Sequence, residues 1–192
     1  MSGPFAVPVR SDRELLDCLT TPARQGDYPA GSREFIRIDT SLRIYWHTLF
    51  DVCPRLLEFC GEDGLAIFRP FMTWAAERNL SHNWAYYLWV GVWLEQSPFA
   101  DRVDDDLLYL LMSASAARWA VTDRTAVAGV VIGCSTLPEL VAGWKCRSVT
   151  GGREIERLEI GEALPPMPGR FGVVLLPEFE FSHFPGWSPV PR

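Results

Sequence analysis

The stretch Trp84–Leu94, WAYYLWVGVWL, constrains the fold more than any other: eleven uncharged residues dominated by aromatic and branched side chains. A membrane-spanning helix needs about 20 predominantly apolar residues, so this run is too short to cross a bilayer and belongs inside the protein. Its Val, Tyr and Trp content, with Gly91 in the middle, favours a strand. Tyr87, Trp89, Gly91 and Trp93 alternate with Leu88, Val90, Val92 and Leu94, which leaves both faces apolar. A strand of that kind sits in the middle of a sheet covered on both sides.

The 192 residues, 48% apolar, suit a single globular domain spanning 1–192. A domain of this size hides roughly 70% of the surface its unfolded chain exposes, so it needs neither disulfides nor a structural metal. Its five cysteines are an odd number without a C-x-x-C pair, which reads as reduced thiols. The opening MSGPFAVPVRSDRELL lacks a basic start followed by an apolar run, so the expected location is cytoplasmic. A net charge of −6, with Lys145 the one lysine among 18 basic residues, argues against a nucleic-acid binder and suits a basic partner. No membrane association is expected.

Along the chain, Ser11-Asp12-Arg13-Glu14 forms a capping box that opens a first helix, and residues 21–33 read as a loop. Leu42, Tyr45, Trp46, Leu49, Val52, Cys53, Leu56 and Leu57 step by three and four, predicting a helix from Thr40 that Pro54 kinks or divides. LAIFR reads as extended, with Pro70 opening a helix through Arg78. Asp101, Asp104, Asp105 and Asp106 precede the Ala-rich run LLYLLMSASAARWA and mark a helix N-terminus. TAVAGVVIGCS reads as a buried strand, TLPELVAGWK as a short helix, REIERLEI as a half-exposed strand and FGVVLLPEFEF as a strand ending at Pro177. Residues 184–192 are an extended, Pro-rich tail. The sum is an α+β fold: a mixed sheet of about four strands packed with three or four helices.

The strongest enzymatic candidate is Cys134, in VVIGCST, where a strand is expected to give way to a helix. Backbone N–H groups there would lower a thiol's pKa and form an oxyanion hole. Its base would be His82 or His183, yet neither lies in a recognisable nucleophile signature. His47, Cys53 and Cys60 lack the paired close ligands of zinc modules, and the four aspartates lack the glycine and trailing glutamate of a calcium loop. Phosphate-binding glycine loops are absent. The expectation is therefore no catalytic residue, no metal and no cofactor.

Recognition remains. Asp101, Asp104, Asp105 and Asp106 follow closely on aromatic residues, among them Trp93 and Phe99, and such a patch suits a basic protein surface. Small, acidic, tryptophan-rich, α+β and free of catalytic motifs, the chain resembles in overall character the immunity proteins that bacteria make against interbacterial toxins, including those of type VI secretion. The resemblance implies a stoichiometric inhibitor that occludes a basic toxin or effector domain and performs no catalysis. Two other readings stay open: a small hydrolase or transferase using Cys134, and an adaptor or chaperone for a secreted effector. The sequence sets no oligomeric state.

Overall fold

The computed structural model of the chain describes residues 19–147, 151–159, 164–180 and 184–192. They fall into two compact units, one ending at Arg78 and the other running from Asn79 to Arg192. The capping box at Ser11 lies outside the described residues.

In the first unit, α1 (Arg33–Phe50) begins where the Ser32 hydroxyl accepts the Phe35 N–H at 3.1 Å. It starts well before Thr40 and takes in Glu34–Asp39. Ile38, Leu42, Leu49 and Phe50 form its buried stripe. The helix ends ahead of Pro54, which opens a 3-10 turn, Pro54–Leu56, followed by one helical turn, Leu57–Cys60. Proline has no N–H to continue the ladder and crowds the preceding turn, so the predicted division falls here. Helix α2 (Leu65–Glu77) takes in LAIFR, and Pro70 lies inside it, not at its start. The true start is Gly64, at φ 65°, where a Cβ would stand 2.5 Å from the Phe50 ring. Only glycine meets both demands.

The second unit holds α3 (Tyr86–Leu94), α4 (Asp105–Thr122) and the strands β1 (Gly129–Cys134), β2 (Glu139–Arg147), β3 (Arg153–Glu159), β4 (Phe171–Leu176) and β5 (Ser188–Pro189). The sheet runs β3-β2-β1-β4-β5 with every pairing antiparallel. The fold is α+β, with five antiparallel strands in place of the expected mixed sheet of about four. TLPELVAGWK supplies β2 and no helix, because Pro138 closes the β1–β2 turn. Trp84–Leu94 supplies α3 and no strand. Seven of the nine residues of α3 are buried, and a helix that is apolar all round carries no amphipathic period to betray it. Gly91, read as a strand feature, is a close approach: a Cβ there would lie 3.1 Å from Phe171.

Helix α4 starts at Asp104, whose carboxylate accepts the Leu107 N–H at 3.0 Å. It packs on β1, β2 and β3, and α3 packs against it while reaching β4 at Phe171. Strand alternation sorts the sheet into two faces. Val130, Ile132, Val141 and Val173 meet Met112, Ala116 and Trp119 of α4, while Val131, Ala142, Trp144 and Val174 point the other way. That second face is roofed by Leu164, Phe184 and Trp187. The Trp187 ring rests on two glycines, since a Cβ on Gly133 or Gly172 would come within 2.6 or 2.7 Å of it. Its indole N–H donates to the Pro165 carbonyl at 3.0 Å, and Trp89 donates to that of Pro191 at 3.2 Å. Val190 packs on the helix-covered face, so the tail passes around the β4 edge.

At the head of α3, the Arg118 guanidinium donates to the His82 carbonyl at 3.0 Å and stands 5.8 Å from the Tyr86 ring. Burial and, second, the Arg118 charge lower the His82 pKa from 6.5 to about 4. A depressed histidine favours the neutral folded form, so its contribution is complete above pH 6.5 and is lost as pH falls through about 4. Urea melts should therefore show stability declining across that window, and His82→Gln should remove this component of the slope. Independently, Gly172→Ala should cost about 1–3 kcal/mol by lifting Trp187 off the sheet, read as a lowered urea midpoint.

Candidate functional site

The strand order leaves the sheet with two unlike ends. At one, β5 pairs with two residues of β4, through Gly172–Pro189 and Val173–Ser188, and covers that part of the edge. At the other, β3 pairs with β2 on one side, and among the described residues no strand pairs with its outer side. Seven residues at about 3.3 Å each make an edge roughly 20 Å long that presents main-chain N–H and C=O groups outward.

The side chains of β3 are held in place while its backbone edge stays open. On the helix-covered face, Ile155 packs into the core and the Arg157 guanidinium lies 4.0 Å over the Tyr109 ring, 3.7 Å from Glu139. On the opposite face, Glu156 accepts the Trp144 indole N–H at 2.7 Å, and Glu154 accepts the Cys146 thiol at 3.3 Å. Burial, with the adjacent Glu154 carboxylate, raises the Cys146 pKa and keeps that thiol a donor. Strand β2 bulges between Trp144 and Arg147, and the Arg153 side chain donates to the Lys145 carbonyl there. The bulge presents Lys145 to Asp123 at 2.6 Å and to the Thr125 carbonyl at 2.7 Å. Where β3 ends, a cleft of about 470 Å³ opens between Asp105, Tyr109, Pro138, Glu139 and Glu159.

The residues singled out from sequence scatter around this framework. Asp104 caps α4, Asp105 and Asp106 occupy its first turn, and Asp101 sits in the 3-10 turn Ala100–Arg102; all four are exposed. Of the rings beside them, Trp93 is buried and Phe99 half-buried. Only Asp105 reaches the cleft at the β3 edge.

Cys134 does not stand at a strand-to-helix junction. It ends β1 of a β-hairpin, fully buried, with its sulfur 3.6 Å from the Thr136 hydroxyl, so no helix N-terminus activates it. His82 is the neutral packing residue described above, and His183 lies outside the described residues. His47 is exposed and pairs with Asp51, whereas Cys53 is buried, its thiol pushed up to about 12 by that burial. Among the described residues no three His, Cys, Asp or Glu side chains are grouped to hold a metal. No helix among them is long and apolar enough to cross a membrane.

Sequence reasoning identified β3 as a half-exposed strand and missed that its outer edge is open. Its alternation of charged and apolar residues was the available signal. Edge position depends on strand order, which no local pattern encodes.

Comparison with known proteins returns a family model, described as methanobactin biosynthesis cassette protein MbnC-like, over residues 25–191. No curated protein matches the chain. The family finding overturns the toxin-immunity resemblance, and with it the type VI secretion setting, the basic toxin as partner and the inhibitor without a part in catalysis. It also displaces the effector chaperone, since it sets the chain in a biosynthetic cassette.

Proposed function

The chain belongs to the MbnC-like family of methanobactin biosynthesis cassette proteins, and from that premise we propose that it serves the enzymatic maturation of a precursor peptide by holding the peptide as an added strand on β3. The observation that carries this reading is the asymmetry of the sheet: β5 covers part of the β4 edge, while among the described residues no strand pairs with the outer side of any of the seven residues of β3. An extended peptide laid on such an edge gains main-chain hydrogen bonds, and alternate side chains fall on the two faces of the sheet.

The ends of that edge differ in character. Arg153 and the β2 bulge mark one, and the acid-lined cleft beside Glu159 marks the other. A peptide bound antiparallel or parallel therefore meets a different chemical setting at each end, which fixes its direction. Charged side chains along β3 also guard the free chain against pairing with its own copies. Affinity then comes from the backbone, and selectivity from the few side chains that flank it.

The test uses alternation. In an antiparallel pair, successive residues of β3 direct their N–H groups alternately toward β2 and outward. Of the pair Glu156→Pro and Arg157→Pro, one variant should unfold more readily and the other should stay folded yet lose precursor-peptide binding by about tenfold or more, measured by calorimetry. N-methylation along the peptide should weaken binding at every second position. Uniform insensitivity to both series would place the peptide elsewhere.

A further inference from the structure

The first unit, which holds no part of the sheet, carries a trough of about 440 Å³. One wall is α1, which contributes Asp39, Leu42, Arg43, Trp46 and His47. These positions recur at intervals of three and four residues, so they form one stripe over about 12 Å of helix. The facing wall is the start of α2, with Phe68 in the floor and Arg69 at the rim. A trough of that length takes three or four residues of extended chain at about 3.3 Å each.

The trough is shaped before anything enters it. The Trp46 indole N–H donates to the Asp63 carbonyl at 2.8 Å, which fixes the ring as a half-buried apolar wall beside Leu42 and Phe68. Both carboxylates that border it are already engaged. Asp39 accepts from Gln25 at 3.2 Å and from the Arg43 Nε at 2.8 Å, and Asp63 accepts the Leu65 N–H at 3.0 Å. The guanidinium groups are less occupied. Arg43 is largely exposed with only its Nε on Asp39, and Arg69 has no carboxylate partner among the described residues. An apolar floor under two available guanidinium groups suits a carboxylate attached to an apolar body.

We infer that this trough binds a short peptide segment in which an aromatic or aliphatic side chain neighbours an aspartate or glutamate. The apolar side chain packs on Trp46 and Phe68, and the carboxylate bonds to Arg43 and Arg69. This segment differs in chemistry and position from the strand proposed for β3, and its binding does not depend on that reading.

The probe is the blocked tetrapeptide acetyl-Ala-Phe-Glu-Ala-amide, titrated into the full chain labelled with ¹⁵N. The readout is the Trp46 indole N–H resonance, identified by its loss in Trp46→Phe. That signal should shift saturably with the glutamate probe, and the glutamine counterpart should bind about fivefold or more weakly. The double variant Arg43→Ser with Arg69→Ser changes two exposed side chains and should abolish the preference while the chain stays folded. Equal binding of the two probes to the unmodified chain, a glutamate preference that survives in the double variant, or no saturable shift of Trp46 by about 10 mM probe would each overturn the assignment.

Discussion

Helix α4 lies as close to the sheet as it does because Ala116 meets Gly143. A Cβ on Gly143 would sit 2.9 Å from that of Ala116 and 3.0 Å from its carbonyl oxygen, so the helix backbone rests almost on the strand. At that separation Met112, Trp119 and Ala120 reach the branched side chains of β1 and β2 without leaving a gap. Helix α3 packs against both α4 and Phe171 of β4 and is buried on nearly every side. A larger residue in place of Ala116 or Gly143 would lift α4 from the sheet and open the core between them.

The opposite face of the sheet solves a different problem with the same residue. Here the cover is irregular chain, and bulky rings lying flat take the place of a helix. Gly133 and Gly172 make the floor for Trp187, while Gly129 makes one for Trp144, with a would-be Cβ 2.4 Å from the indole. The strands are thus glycine-poor under the helix and glycine-rich under the loops. Indole N–H groups that would otherwise be buried without partners find the Glu156 carboxylate and the Pro165 carbonyl. Because β5 takes up Gly172 and Val173 at the β4 edge, the longest main-chain edge without a paired strand among the described residues is β3.

Much of this was legible locally. The aspartates before α4, the apolar run of β1 and the charge alternation of β3 each carry a signal that short-range physics generates, and each element forms where that signal stands. The misreadings share a cause as well. α3 is apolar on all sides, so its Val, Tyr and Trp content argued for a strand that tertiary burial overrode. β2 follows a proline that marks either a first helical turn or the end of a hairpin, and only pairing with β1 decides. Pro70 suits the first turn of a helix, yet the turn set by Gly64 and the burial of Ile67, Phe68 and Phe71 prevail and leave it inside one. The open edge and the trough were beyond local reading, since each arises from elements distant in sequence.

The single lysine has a consequence of its own. Lys145 projects from the β2 bulge to Asp123 and the Thr125 carbonyl, with its ammonium 4.9 Å from the Trp119 ring, so its amine is engaged on three sides. Acylating reagents require a free, uncharged amine, which this position supplies only when the bulge parts from the end of α4. The rate of Lys145 acylation, read by mass, is therefore an intrinsic clock for local opening at the β2 bulge.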